Sequence, residues 1–259
     1  MARIETPKDV SPLDYYIKFK RGFTKSQILI STVDSVKDNL RQAEMVRDEP
    51  IGLFLCYTAE EEAATFLYLA MREQKYNVPD FKNLTNHRDK IKIFLLALCI
   101  DRYLFSEINL GDALVLMMEE IPREKSHPRN EIRAYTEMAG YKIAVTDPIL
   151  NIKTKGKGVE GLKKAVIYDV ENALRSVGMG ESKDYDGLIK KLANRRNLCL
   201  YGEPKVKWKL DSKGSLSDFE SNCVFLICLG YMFLQTEKKS EAIQEIINTL
   251  FDRIGWPKE

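Results

Sequence analysis

One stretch of the sequence, from Pro50 to about Lys75, constrains the fold more than any other. It is typical of a long helix that is apolar nearly all round, because Leu, Phe, Tyr and Ala recur on every turn. Its interior has one strongly polar part, Glu60-Glu61-Glu62, near the centre, and charged residues return at its end, from Arg72. A helix with so narrow a polar face must be covered on most sides, so we expect it to be central. A chain of 259 residues with 44% hydrophobic residues is long enough to supply that cover.

Much of the remaining chain carries the three-and-four spacing of amphipathic helices. The pattern predicts further helices over 24–46, 86–105, 159–177, 185–198 and 217–234, and a C-terminal amphipathic helix over 240–254. Ser217 and Glu220 have the spacing of a capping box at the start of one of them. No segment of the size of a linker and rich in Pro or Ser divides the chain, so we expect a single domain spanning residues 1–259.

The middle of the chain has the least regular pattern. Gly111–Ile121 and Asn130–Val145 are interpreted as two shorter helices, because no strand-like alternation persists. The fold class predicted from the whole sequence is therefore all-α, a helical bundle of about seven to nine helices. Whether residues 108–155 belong to the bundle or cap it is left open by the sequence.

Several function classes are disfavoured by what the sequence contains. The apolar stretch Ile51–Met71 has three carboxylates at its centre, which disfavours a membrane span. No apolar segment follows Met1, so no secretory signal is visible. The five cysteines form no Cys-x-x-Cys pair, and four lie in apolar runs, which is typical of buried free thiols in a reducing compartment. We therefore predict a cytoplasmic protein.

Charge and histidine content narrow the chemistry further. The net charge is only +2, so nucleic-acid binding would need a local patch. Such a patch is indicated between Lys153 and Arg196, where eleven Lys or Arg residues stand against six Asp or Glu residues. We take Lys190, Lys191 and Arg195 from it as candidate binding residues, although a solvated helix face explains the pattern equally well. The chain has two histidines, which disfavours a zinc site, and it implies neither a metal nor a cofactor.

Two groups of charged residues are candidates for a site. On a helix, Glu60, Glu61 and Glu62 fan out over about 200 degrees, so at least one carboxylate should face a neighbouring helix. A buried carboxylate needs a cationic or hydrogen-bonding partner, so it is either half of a structural ion pair or a site carboxylate. His87 and Lys90, three residues apart, share one helix face and either point at one anion or form an exposed first turn. We take Glu61, Glu62, His87 and Lys90 as candidate binding residues.

The most specific motif in the chain is Asn194-Arg-Arg-Asn-Leu-Cys-Leu-Tyr-Gly202. It resembles the signature of HEPN helical domains, in which an Arg, usually followed by a polar residue, precedes a His by four to six residues. Arg196, Asn197 and Tyr201 match this pattern in order and spacing, with Tyr201 where the family has His.

The resemblance covers about residues 28–235. Within the superfamily, the chain resembles the abortive-infection V (AbiV) branch most. It rests on short motifs that occur in the same order, namely Glu61-Glu62, His87-x-x-Lys90, Arg196 to Tyr201, and a Trp- and Gly-containing stretch after them. In that branch a Lys typically follows the Glu pair one turn later, whereas this chain has Ala64 and Thr65 there. The resemblance implies a HEPN-like core with an inserted helical segment and an extra C-terminal helix.

The function implied by the resemblance is RNA binding or RNA cleavage in a phage-defence or toxin setting. HEPN domains typically pair as homodimers, and two Arg-His motifs then line a cleft that acts as a metal-independent ribonuclease. Arg196 would contact the scissile phosphate, and Asn197 would orient a hydroxyl group. A phenol is a poor base at neutral pH, so Tyr201 would donate a proton or stack on a base.

Two further interpretations stay open. The first is a catalytically inactive HEPN module that acts by contact with a second protein or by nucleotide binding, which Tyr201 and the modest net charge favour. The second is an unrelated helical scaffold, in which Arg195 and Arg196 would pair with carboxylates at a helix end.

Overall fold

The computed structural model describes residues 2–47, 49–80, 86–108, 113–123, 126–138, 141–145, 150, 159–178, 184–201 and 215–255. Within these ranges the chain forms nine helices and four strands. The helices are α1 (Pro12–Ile17), α2 (Lys20–Phe23), α3 (Gln27–Met45), α4 (Pro50–Glu73), α5 (His87–Ile108), α6 (Val159–Ser176), α7 (Tyr185–Tyr201), α8 (Leu216–Gln235) and α9 (Glu241–Ile254). The strands are β1 (Arg3–Glu5), β2 (Ala113–Arg123), β3 (Ser126–Met138) and β4 (Tyr141–Ala144).

Helix α4 is the centre of the helical part, as the sequence predicts. It packs against α3, α5, α7 and α8. Small residues on its faces, such as Ala59 and Ala63, are fully buried and let these neighbours approach closely. The approach is tightest at Gly230 of α8, where a Cβ atom would lie 2.4 Å from Cε1 of Phe66. Burial on so many sides explains why α4 can be apolar nearly all round.

Helix α8 has the length and composition of a membrane span, the only helix of this kind among the described residues. However, 67% of its most apolar window is buried inside the protein. It packs against α1, α3 and α4, and Tyr231 near its end stacks on Phe23 with ring centroids 4.3 Å apart. Helix α8 therefore has the packing of a core helix.

The middle of the chain forms a sheet, so the prediction of helices over Gly111–Ile121 and Asn130–Val145 is wrong. The strand order is β1-β2-β3-β4, with β1 parallel to β2 and the other pairs antiparallel. The fold is therefore α-rich with a small mixed sheet rather than all-α, and the segment expected to be an inserted helical one is largely extended. Pairing with β1 and β3 overrides the helix propensity of the Leu, Met and Glu residues in β2, and the paired strand buries Leu114, Val115 and Leu116.

A clear alternation of buried and more exposed residues runs along β3. Ile132, Ala134 and Thr136 are buried, whereas Arg133 between them is exposed. The sheet is joined to the bundle by Gln235 at the end of α8, whose side chain exchanges two hydrogen bonds of 2.8 Å with the backbone of Ile132. The described part of residues 108–155 thus packs against the helices.

Two smaller predictions about the helices and thiols have different outcomes. The capping box of α8 is formed by Ser215 and Asp218, not by Ser217 and Glu220, because the helix begins two residues earlier than expected. Glu220 instead accepts a hydrogen bond of 2.5 Å from the Ser11 hydroxyl. The prediction of buried free thiols is confirmed, since all five cysteines are buried and none forms a disulfide.

Candidate functional site

Three helices bring the candidate residues together. Helix α4 carries Phe54, Tyr57 and Glu61 at the three-and-four spacing that places them on one face. Helix α5 carries His87 in its first turn, and α7 carries Arg196 near its C-terminal end. These faces meet because α4 packs against both α5 and α7, and α5 also packs against α7.

Glu61, His87 and Arg196 form a hydrogen-bonded group that we call the central cluster. Oε2 of Glu61 lies 2.9 Å from Nδ1 of His87 and 2.9 Å from Nη1 of Arg196. Nη1 of Arg196 lies 3.0 Å from Nδ1 of His87 and 3.2 Å from Nε2. The side chain of Glu61 is 7% exposed, that of Arg196 19% and that of His87 33%. The carboxylate is thus buried beneath a cation, and the imidazole remains accessible to solvent.

A third contact fixes the guanidinium plane of Arg196. Its central carbon lies 4.3 Å from the centroid of the Phe54 ring, within the range of a cation–π interaction. Nε of Arg196 is buried and has no hydrogen-bond partner among the described residues. Arg196 is therefore held between a carboxylate and an aromatic ring.

A second ion pair lies next to the central cluster. Nζ of Lys90 is 3.0 Å from Oε1 of Glu62, and the lysine side chain is 9% exposed. The consecutive residues Glu61 and Glu62 are thus matched by His87 and Lys90, one turn apart on α5. Of the alternatives for the glutamates, the structure places Glu61 and Glu62 in ion pairs with α7 and α5, respectively.

Residues of the central cluster line two cavities among the described residues, and the first, here called the inner cavity, has a volume of about 500 Å³. Its walls combine apolar and charged groups and come from five helices: Tyr57, Glu60, Glu61, Ala64, Lys90, Ile91, Phe94, Leu95, Ser176, Val177, Leu192, Ala193, Arg195, Arg196, Phe219 and Asn222. Nδ2 of Asn222 donates a hydrogen bond of 2.7 Å to Oε1 of Glu60. The sequence did not predict Asn222 as a site residue, because it is a single amide at the start of an apolar run.

The carboxyl group of Glu60 has an altered proton affinity. Burial raises its pKa to about 7, an effect that the hydrogen bond from Asn222 opposes and the nearby charge of Glu61 reinforces. Arg195 acts in the opposite direction, since its positive charge favours the ionised form. Near neutral pH, Glu60 therefore exists in both protonation states.

The raised pKa predicts a pH-dependent effect of Glu60→Gln. Because the folded state holds its proton more tightly than the unfolded chain, this group favours folding most below its ordinary pKa, and the contribution is lost as the pH rises through 7. Gln resembles the neutral acid, so we expect little change at pH 5 and a gain of about 1–2 kcal/mol in the free energy of unfolding at pH 8. Urea unfolding at both pH values measures it, with Glu237→Gln, at an exposed site, as the control. Equal effects of Glu60→Gln at the two pH values would contradict the prediction.

The second cavity, here called the basic hollow, has a volume of about 390 Å³ and lies between α5 and α7. Among the described residues it is lined only by basic, amide and small side chains, namely Asn86, His87, Arg88, Lys190, Lys191, Ala193, Asn194 and Asn197. Asn86 caps α5, since its Oδ1 accepts a hydrogen bond of 3.1 Å from the backbone N–H of Arg88. Lys190 also pairs with Asp186 at 2.6 Å, one turn earlier on α7.

The remaining predicted residues of α7 are spread over different faces. Arg195 is exposed and lines the inner cavity, whereas Asn197 is exposed and lines the basic hollow. Tyr201 is 84% exposed, and its position is about 140 degrees around the helix and about 7.5 Å along it from Arg196. The Trp- and Gly-containing stretch that follows the motif lies outside the described residues. The structure therefore brings His87, rather than Tyr201, to Arg196.

Comparison with known proteins gives no relative for this arrangement. No protein-family model matches the chain, and neither any curated protein nor any solved structure is significantly similar to it. Among the described residues, no group of three or more His, Cys, Asp or Glu side chains is placed to hold a metal ion.

Sequence reasoning missed several residues that line the two cavities or touch the central cluster. Asn86 and Arg88 flank His87, and Asn194 begins the motif that contains Arg196, so their positions next to candidate residues could have identified them. Phe54 and Asn222 carry no such signal, because an aromatic residue and a lone amide in apolar helices are typical of ordinary core positions.

Proposed function

We propose that the protein binds RNA and cleaves it without a metal ion, with His87 as the general base and Arg196 as the phosphate contact. The observation that supports this most is the position of the imidazole, 3.0 Å from the Arg196 guanidinium and accessible in the basic hollow. The HEPN-like motif has Tyr201 in place of its His, and His87 supplies an imidazole from another helix. The proposal thus keeps the Arg-His chemistry that the resemblance implies.

The basic hollow has the chemistry of a phosphate-backbone site. Arg88, Lys190 and Lys191 offer positive charge, which attracts the backbone of a nucleic acid whatever its sequence. Asn194 and Asn197 add amide groups that can donate to, or accept from, a ribose 2′-OH or a base edge. A single strand is favoured, since its backbone can bend into a hollow that a stiff duplex would only cover.

Cleavage would follow from the proton positions in the central cluster. A proton on Nδ1 of His87 can be donated to Oε2 of Glu61, which leaves a lone pair on Nε2. Nη1 of Arg196 lies 3.2 Å from Nε2, so it must turn away, towards the phosphate, before that lone pair can react. Nε2 then removes the proton of a ribose 2′-OH, and the 2′ oxygen attacks the adjacent phosphorus. The bond from phosphorus to the 5′ oxygen breaks, the 5′ oxygen takes up a proton from solvent, and a 2′,3′-cyclic phosphate remains.

Arg196 would stabilise the negative charge that develops on the phosphate. Its Nη1 is occupied by Glu61 and His87, whereas Nη2 makes no hydrogen bond with the described residues. Because the guanidinium is already oriented by Glu61 and Phe54, it would need little rearrangement to donate from Nη2.

The test is cleavage of labelled total RNA by the purified protein in the presence of EDTA. Wild type should cut, Arg196→Lys should be strongly impaired because Lys lacks the planar fork, and Tyr201→Phe should cut like wild type. Cleavage that requires added metal, or that depends on Tyr201 and not on Arg196, would contradict the proposal. Products ending in a 2′,3′-cyclic phosphate would identify the reaction.

A charge reversal in the basic hollow is expected to weaken RNA binding. Lys190→Glu with Lys191→Glu should lower the affinity for single-stranded RNA by at least about tenfold at 50 mM salt and should flatten its dependence on salt. The matched control is Lys163→Glu with Lys164→Glu, another adjacent and exposed lysine pair, on α6. Fluorescence anisotropy with a labelled oligonucleotide measures both. Equal losses in the two double variants would point to net charge rather than to this hollow.

A second candidate function is binding without cleavage, which the inner cavity favours because its volume and mixed apolar and charged walls suit a small molecule. RNA that is bound but never cut by wild type would support it.

The homodimer that the resemblance implies belongs to the proposal as well. Leu198, Leu200 and Tyr201 support it, since they are 37%, 39% and 84% exposed at the end of α7.

A further inference from the structure

The inner cavity has the dimensions and walls of a site for a flat aromatic ligand. Its volume of about 500 Å³ lies within the usual range for small-molecule sites. Tyr57, Phe94 and Phe219 contribute aromatic rings to the walls, and the rings of Tyr57 and Phe219 meet edge to face with centroids 5.2 Å apart. Leu192 adds an apolar surface. Such walls favour a planar ring system that can be stacked and covered.

The polar end of the cavity offers hydrogen-bond acceptors to a ligand. Oε1 of Glu60 already accepts a hydrogen bond from Asn222 but has a second lone pair. Oε2 of Glu60 and Oδ1 of Asn222 accept no hydrogen bond from the described residues. When Glu60 is ionised, this end therefore suits a ligand that presents two neighbouring donors to a carboxylate.

The charges around the cavity favour a ligand that carries a phosphate over a cationic ligand. Lys90, Arg195 and Arg196 are basic residues of the wall, against the acidic residues Glu60 and Glu61. Lys90 and Arg196 are held in ion pairs, but Arg195 is exposed and has no ion-pair partner among the described residues. Arg195 is therefore free to donate to an anionic or carbonyl oxygen of the ligand.

Of the four RNA bases, guanine alone presents two adjacent donors, N1–H and N2–H₂, beside the acceptor O6. Adenine and cytosine present one exocyclic donor next to a ring acceptor, and uracil presents a single N–H between two carbonyl groups. We infer that the inner cavity binds a guanine base, with the Glu60 carboxylate accepting from N1–H and N2–H₂ and Arg195 donating to O6 or to the phosphate of the same nucleotide.

The two cavities are neighbours, so one RNA strand could occupy both. Ala193 lines each of them, and the contact between His87 and Arg196 joins their walls. A strand whose backbone lies in the basic hollow could place one base in the inner cavity. This inference rests on the proposed RNA binding for the role of the base, but binding of a free guanine nucleotide can be measured without any cleavage.

The experiment is calorimetric titration of the full chain with GMP, AMP, CMP and UMP. For wild type we expect GMP to bind at least about tenfold more tightly than AMP, which is typical of one bidentate contact to a base. Glu60→Gln should abolish this preference, because Gln places an amide donor against the donors of guanine. Glu237→Gln, which neutralises an exposed carboxylate outside the cavity, should retain it. Thermal unfolding of each variant checks that it is folded.

A second arm distinguishes a free nucleotide from a base within RNA. It compares oligouridylate strands that carry one central G or one central A. Tighter binding of the G strand assigns the site to RNA, whereas selectivity for GMP without it assigns the site to free nucleotides.

Equal affinities for GMP and AMP, or no binding of GMP, would overturn the inference. Metal-independent cleavage without selectivity for G, together with no binding of GMP, would refute the guanine site and leave the proposed ribonuclease standing. Selective GMP binding by a protein that never cuts RNA would support the guanine site and refute the proposed ribonuclease.

Discussion

His87→Asn is expected to slow RNA cleavage by a factor of about 10² to 10⁴, the usual contribution of a general acid or base. Asn preserves a polar side chain of similar reach but cannot take up the proton of a 2′-OH. Binding of RNA should change little, because Arg88, Lys190 and Lys191 keep their charges in the basic hollow. Single-turnover cleavage with EDTA measures the rate, and anisotropy measures the affinity.

The other histidine of the chain provides the control for this experiment. His127 belongs to β3, and His127→Asn should cleave RNA at the wild-type rate. The side chain of His87 is 33% exposed, so its loss should cost little stability, and thermal unfolding will show whether the variant is folded. Wild-type cleavage by a folded His87→Asn variant would refute the role of His87 as the base.

Arg196→Met is expected to lower the free energy of unfolding by about 3 kcal/mol or more. Its removal leaves the carboxylate of Glu61, 7% exposed, with His87 as its remaining partner in the central cluster. A buried carboxylate that loses the guanidinium of its ion pair is destabilised by more than the ion pair itself contributes. Urea unfolding monitored by circular dichroism measures the loss.

Replacing both partners should recover much of that stability. Glu61→Leu combined with Arg196→Met removes the buried charges together, and apolar groups of similar volume often replace a buried ion pair without loss. The double variant should nevertheless be inactive towards RNA, because it has no phosphate contact. A double variant less stable than Arg196→Met alone would show that the two residues are not coupled in the way the geometry indicates.

These variants separate a structural role of the central cluster from the catalytic role that is proposed for it. Glu61, His87 and Arg196 come from α4, α5 and α7, so their hydrogen bonds also connect three helices of the bundle. If the cluster is purely structural, the double variant should keep both the stability and the RNA cleavage of wild type. If the cluster is catalytic, the double variant should keep much of the stability but lose RNA cleavage.

Several features could be predicted from the sequence because they depend on neighbouring residues alone. The three-and-four spacing is a local property of the backbone, and it predicted α4, α5, α7 and α9 and the central place of α4. The same local reasoning selected Glu61, since a carboxylate within an apolar helix needs a partner, and His87, which shares a helix face with Lys90. Arg196 was selected by the resemblance of its motif to that of HEPN domains. It did not show that they share one site.

The sheet and the pairing of site residues were decided by the tertiary structure. The residues of β2 have high helix propensity, and only hydrogen bonding to β1 and β3 makes them extended. Glu61 and Arg196 are 135 residues apart, and the packing of α4 on α7 joins them. The packing of α4 on α8 brings Asn222 to Glu60, and Tyr201 at the end of α7 is left exposed. Local spacing determines which side chains share a face of one helix, whereas the burial of all the faces together determines which of them meet.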